Sequence, residues 1–223
     1  MKKVLIFTLA ICILAFSAAL ADETASTGDV GGNVAVRYYP TTTDFGGGTS
    51  FNISNIWAEG NLYVGKDRKW KGSIEWFGGN KSKTFNGVNV KCTESQATGR
   101  IGYDLWEKTY LSVDYKSNKF TFGVAGFGTG SGTFDGIGFG VDKEWGLSKQ
   151  WILNTNLHYF PTLSGPNKWD YRDLEYEIGL VYKIPSAVNI DAGFRGESWT
   201  GFNKAKNTTV TIAGPYLGIS KDF

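Results

Sequence analysis

The chain is poor in the residues on which most catalytic and metal chemistry depends. Its 223 residues include one His, one Met and two Cys. A single imidazole and so few thiols argue against a multi-ligand metal site or a Cys–His nucleophile pair, so the expectation is no metal, no cofactor and no enzyme activity. Five Pro exclude collagen-like structure, and 41% hydrophobic residues exclude wholesale disorder. A surplus of one charge is also missing. Lys and Arg number 23 against 21 Asp and Glu, and setting Lys2 and Lys3 aside leaves 21 against 21, so no nucleic-acid partner is indicated. The one sustained apolar run, from Val4 to Phe16, is shorter than the ~20 residues a spanning helix needs.

That run has the form of a secretory signal. Lys2 and Lys3 precede it, and Ala19-Leu20-Ala21 offers a small-residue cleavage site before Asp22. Residues 1–21 are therefore expected to be a signal peptide and 22–223 a single exported domain. Its removal leaves Cys92 as the sole thiol, read as lying in a loop, so no internal disulfide is expected.

What the chain does have is 30 Gly, 8 Trp, 15% aromatic residues and persistent two-residue alternation. Leu174, Tyr176, Ile178, Leu180 and Tyr182 oppose Glu175, Glu177 and Gly179; Val188, Ile190, Ala192 and Phe194 oppose Asn189, Asp191, Gly193, Arg195 and Glu197. Similar patterns run through 34–38, 56–64, 70–76 and 97–105, each placing one set on one face of a strand. Short connections (66–69, 106–108, 146–149 and 184–187) alternate with longer polar, Gly-rich ones (40–50, 78–94, 126–135, 161–171 and 200–207). Nine connections give ten strands. In 111–124 the apolar parity changes from Leu111, Val113 and Tyr115 to Phe120, Phe122 and Val124. A bulge near 116–119 keeps the strand whole, and a turn at Ser117-Asn118 changes the count, so eight or twelve strands remain open. Trp70, Trp106, Trp145 and Trp151 flank short turns, whereas Tyr38, Trp76, Tyr115, Tyr159 and Trp199 fall toward the long connections, making two aromatic girdles.

With these features and its final Phe223, the chain resembles a small bacterial outer-membrane β-barrel protein of OmpA-, OmpX- or OmpW-like architecture. The fold so implied is all-β, a closed antiparallel transmembrane barrel of about ten strands in the bacterial outer membrane. Its implied partners are outer-membrane lipids and the barrel-assembly machinery, which reads a terminal aromatic such as Phe223 in this class; the chain is then a monomer. Departures from the class pattern are Lys221 and Pro215; a bulge or a late start to pairing accommodates the proline.

If the apolar faces meet lipid, the opposite faces line a lumen carrying Arg37, Glu59, Glu75, Arg100, Asp104, Glu175, Glu177, Asp191, Arg195 and Glu197. Lys71, Asp114, Asp142 and Glu144 share that parity. Charges so enclosed must pair or stay hydrated. A ten-stranded barrel is closer to filled than to open, so the expected role is structural or surface-interacting with a polar, plugged lumen. A narrow porin-like channel and a soluble exported β-barrel binding protein are the alternatives. Acid pairs such as Glu175/Glu177 lack a nucleophile, and His158 is expected to make a hydrogen bond near the outer rim. The glycines of 126–132 resemble a phosphate loop, but no helix or Gly-Lys-Ser/Thr follows. Gly136, Gly138 and Gly140 should leave room on the lumen face for bulky neighbours.

Overall fold

Alternating strands with one apolar face must bury or cover that face, and closing the sheet on itself leaves no unpaired edge. A computed structural model describes residues 30–85, 87–185 and 188–223. The proposed signal peptide lies outside them. Ten antiparallel strands run in chain order: β1 (Val30–Asp44), β2 (Ser50–Val64), β3 (Trp70–Phe85), β4 (Val88–Asp104), β5 (Thr109–Val124), β6 (Gly128–Gly146), β7 (Trp151–Ser164), β8 (Trp169–Tyr182), β9 (Asn189–Asn203) and β10 (Thr209–Asp222). Each pairs with its sequence neighbours, and β1 pairs with β10 to close the barrel.

The three fully described turns at one end (65–69, 105–108 and 147–150) are tight. In one, Leu105 N–H donates to Thr109 O at 2.9 Å while Glu107 and Lys108 take φ of 45° and 59°. Positive φ at both central residues lets a two-residue hairpin follow the strand twist. At the other end the expected long loops prove to be mostly strand. The connection between β3 and β4 is two residues long, and much of 126–135 belongs to β6. Strand 5 is continuous, with neither a bulge near 116–119 nor a turn at Ser117-Asn118, and its register with β4 and β6 never shifts. Bulges occur instead between Asp135 and Phe139 of β6 and between Phe160 and Leu163 of β7. Pro215 needs no bulge either. Pairing of β1 with β10 lapses between Tyr38↔Leu217 and Thr42↔Ala213 and resumes in the same register. Pro40 and Pro215 fall opposite each other in that gap, where neither has an N–H to give.

The parity change in β5 marks an inversion of the whole barrel. Near the turn end the outward residues are apolar: Ile178 is 53% exposed, Leu180 41% and Phe194 42%. This outer band is bounded by aromatics. Trp70 stacks on Tyr103 at 5.0 Å and Trp151 on Tyr182 at 4.8 Å near the turns; Phe139 meets Tyr159 at 5.8 Å at the upper margin, near exposed Tyr38 and Tyr115. Trp151 and Tyr159 lie eight residues apart, so at the strand rise and tilt usual for such barrels the band is roughly 20 Å tall. Above it the apolar side chains face inward. Phe120, Phe160, Leu163, Tyr171, Trp199, Val210 and Ile212 form a buried cluster with Phe45, Phe122 and Phe134 packed against it. Trp199 was expected in the upper girdle; it is completely buried in this cluster, because at its height the apolar face is the inner one. Phe51, Ile53 and Cys92 form an adjoining cluster, so Cys92 is a core residue of β4 rather than a loop thiol. Phe45 lies across both, 5.3 Å from Phe120 and 5.0 Å from Phe122.

Candidate functional site

The inward faces near the apolar band converge on one ionic network that crosses the lumen. Arg195 of β9 reaches Glu75 of β3 at 2.7 Å and Glu197 at 3.1 Å. Arg100 of β4 forks to Glu75 and Glu175, each at 3.0 Å. The Lys116 ammonium bonds Asp173 at 2.5 Å, Glu197 at 2.8 Å and also Glu175. Because β3 and β9, like β5 and β9, lie on opposing walls, these bonds span the barrel. Gln96 donates to Glu197 at 3.0 Å and accepts from Asn118 at 2.8 Å, extending the network to two further side chains. Buried charges persist only when paired and hydrogen-bonded in this manner.

Nearer the turns, Arg37 pairs with Glu59 and with Asp191 at 3.3 Å. Ser220 donates to Asp191 at 2.8 Å. Glu177 accepts from Tyr216 at 2.8 Å and from Asn156 at 3.0 Å. The guanidinium of Arg37 lies 4.3 Å above the Trp57 ring and that of Arg195 lies 4.7 Å from it, so one indole separates two cations. Tyr39, Trp57, Phe77 and Tyr216 form an apolar collar at this level.

All ten lumen positions named from the sequence point inward. Arg37, Glu59 and Asp191 form one group; Glu75, Arg100, Glu175, Arg195 and Glu197 form another. Asp104 stands apart near the turn end, where it accepts from Thr109 N–H at 3.2 Å and faces Lys69 at 3.6 Å. Sequence reasoning missed Lys116, Gln96 and Asp173. Lys116 carries the same parity as Ser112 and Asp114, and keeping that parity through β5 finds it. Its surroundings also settle the one cluster with metal-ligand composition found among the described residues. Oxygens of Asp173, Glu175 and Glu197 lie within 4.8 Å of one another, but the ammonium of Lys116 is already the cation among them, so the set does not suit a metal.

His158 faces inward as expected, though well below the outer rim. Its Nδ1 lies 2.7 Å from Asp114 and its Nε2 2.9 Å from Asp142, which also accepts from Lys71 at 2.8 Å. The imidazole occupies space left by the glycine stripe. A Cβ on Gly140 would sit 2.0 Å from His158 Nδ1, one on Gly138 2.5 Å from Phe160, and one on Gly136 2.9 Å from Leu163. Glu94 occupies a different setting above the network, accepting from Asn55 at 2.6 Å, Thr43 at 2.9 Å and Thr41 at 3.2 Å.

Two spaces remain. One, of about 20 Å³ among Glu75, Arg100, His158 and Glu175, holds no more than a water or two. The other, of about 430 Å³, opens at the turn end and is lined by Arg37, Glu59, Lys71, Tyr110, Asp142 and Asp191 among others. The interior therefore has an open space at the turn end, an ion-pair network in the middle and a buried aromatic cluster at the other end.

No family model and no curated protein matches the chain. Solved structures do. The outer membrane protease OmpT of Escherichia coli superimposes with a TM-score of 0.52 at 8% identity, covering 89% of this chain and 98% of that one. The fold is that of an outer-membrane β-barrel. Two further barrels align at lower scores: the β domain of the Bordetella autotransporter BrkA (TM-score 0.49, 10% identity, 87% of this chain and 100% of that one) and Ail of Yersinia pestis (0.47, 8%, 87% and 99%). At such identities the barrel is what these proteins share with the present one.

Proposed function

We propose that this protein is a barrel of the bacterial outer membrane whose lumen is closed, and that it serves the envelope as a structural and surface-interacting element rather than as a pore or an enzyme. The observation that carries the proposal is the stacking of two seals in one lumen. Lys116 and Arg195 tie opposing walls together, and above them the side chains of Phe160, Leu163, Trp199 and Ile212 are wholly buried. A permeating ion would have to break the first and pass through the second. The turn end, with both barrel termini, faces the periplasm in this reading, and the plugged end faces outward. The soluble alternative is disfavoured by exposed Ile74, Ile101, Val113 and Ile137, each about two-thirds exposed and all within the same outer band. A non-enzymatic role is supported by the position of His158, which is enclosed between two aspartates with no Ser, Thr or Cys among the described residues hydrogen-bonded to it.

Outer-membrane lipids would cover the band, and the assembly machinery would read the last strand of a monomer. Phe223 exchanges two backbone hydrogen bonds of 3.0 Å with Gly32, and its ring lies over that glycine at the β1–β10 seam. Planar-bilayer recording from purified, folded protein tests the closed lumen. Silence is expected up to 200 mV, and ohmic steps from homogeneous protein would reject it.

A further inference from the structure

The space at the turn end, of about 430 Å³, falls within the roughly 300–1,000 Å³ of small-molecule sites. Arg37 stands at its inner end over the Trp57 ring, and the collar of Tyr39, Trp57, Phe77 and Tyr216 lies beyond. Seven acidic and five basic side chains line the space, and the acidic excess is local. Lys71 answers Asp142 at 2.8 Å, Lys108 answers Glu144 at 3.2 Å and Lys183 answers Asp222 at 2.8 Å. Asp67 and Arg68 are neighbours in the turn after β2. What remains is one guanidinium, that of Arg37, among the three carboxylates of Glu59, Glu177 and Asp191.

Glu177 accepts from the neutral Tyr216 and Asn156 side chains, and among the described residues no Lys or Arg lies within 4 Å of it. Asp191 is 1% exposed, yet its Oδ2, 3.3 Å from Arg37, accepts no hydrogen bond. Asn154 leaves its Oδ1 unpartnered as well. These groups share one wall. Asn154 of β7 pairs with Gly179 of β8, two residues from Glu177, and Asp191 of β9 pairs with Val181, two residues the other way. Val181 pairs in turn with Ile152, and both line the space, so an apolar patch lies beside the acceptors. Carboxylates withdrawn from bulk water and short of counter-ions favour a cation that brings its own donors. A single metal ion does not suit them. Among the described residues only Asp173, Glu175 and Glu197 bring three ligand oxygens within 4.8 Å of one another, and they belong to the central network.

We propose that this wall binds a small organic dication, a diamine whose two primary ammonium groups are joined by a short alkyl chain. One ammonium donates to Glu177 and Asn154, the other donates to Asp191, and the alkyl chain lies on Ile152 and Val181. Two positive charges offset the two that the carboxylates around Arg37 carry in excess. Charge-assisted hydrogen bonds supply affinity, and the spacing of the acceptors sets the chain length. In the orientation proposed above, the diamine enters from the periplasm. Binding itself depends on neither that orientation nor the closed lumen: current steps would leave the site standing, and a failed titration would leave the closure standing.

The test titrates the full barrel in phosphatidylcholine nanodiscs with cadaverine at low ionic strength, followed by calorimetry. Saturable binding of one molecule per barrel is expected. Pentylamine, with a single ammonium group, should bind at least tenfold more weakly, and magnesium at equal concentration should not displace the diamine. Glu177→Gln and Asp191→Asn should each weaken binding at least fivefold. Glu107→Gln, at an exposed turn acid outside the space, should leave it unchanged. Because either inner substitution can disturb the barrel wall, nuclear Overhauser contacts in the unaltered protein provide a second measurement. The cadaverine methylenes should contact the side-chain amides of Asn154 and Asn156 and not those of Asn80 and Asn89 near the opposite end. Absence of saturable binding, equal affinity for pentylamine, displacement by magnesium, equal loss from Glu107→Gln, or contacts at Asn80 and Asn89 alone would each overturn the proposal.

Discussion

Arginine introduced on the outer wall should report the height at which the barrel inverts. Ile178 projects from β8 between Thr155 of β7 and Phe194 of β9, is 53% exposed, and lies four residues from both Tyr182 and Leu174. It therefore sits near the middle of the apolar band. A guanidinium there faces hydrocarbon, and Ile178→Arg should cost about 2–4 kcal/mol, the range for cationic residues at the midplane of such barrels. Asn80 also points outward and is exposed, but it lies above Trp76 and beyond the band. Asn80→Arg should change stability by no more than ~0.5 kcal/mol, as ordinary surface substitutions do. Reversible urea unfolding in lipid vesicles, followed by Trp fluorescence, measures both. The reasoning fails if the two substitutions cost the same, or if Ile178→Arg is tolerated, since either result would mean that hydrocarbon does not cover this wall.

Other substitutions probe the interior. Lys116→Met leaves three carboxylates facing one another without their cation and should cost about 3–5 kcal/mol; adding Glu197→Gln should recover part of the loss in the same unfolding assay. Gly140→Ala drives a Cβ into the His158 ring and should cost about 1–3 kcal/mol, whereas Gly72→Ala, with nothing within 4 Å, should cost less than 1 kcal/mol. Cys92 has no exposed surface, so a maleimide probe should label it only after unfolding.

The lower half of the barrel is legible in the sequence because its outer and inner faces carry opposite chemistries on alternate residues. Leu174 to Tyr182 against Glu175 and Glu177 leaves one way to face the strand, and ten lumen positions follow from that rule. The upper half breaks the rule without breaking the strands. From 128 to 133 glycine alternates with Thr and Ser, so neither face declares itself and the segment reads as loop. In β5 the declared face switches at Phe120, and a bulge is the natural inference if every apolar residue is assumed to point outward. The register stays constant there, and the solvent outside changes instead.

The same switch explains why Trp199 could not be placed by counting. At the level of Phe194 an aromatic faces outward in the apolar band; five residues later, above the band, an inward one meets Phe120, Phe134 and Tyr171. A barrel that carried its lipid-facing pattern upward would expose a wide apolar surface to water, and one that carried its polar interior upward would have no core to hold its protruding strands. Reversing the pattern satisfies both constraints with one continuous set of hydrogen-bonded strands. It also sets the buried aromatic cluster above the outward-facing apolar band, where the hydrophobic effect can drive its packing. The ionic girder below has no such driving force and depends on complete pairing. The central network should therefore yield to single-residue changes that leave a charge unmatched, while the aromatic cluster above it should yield to lost volume.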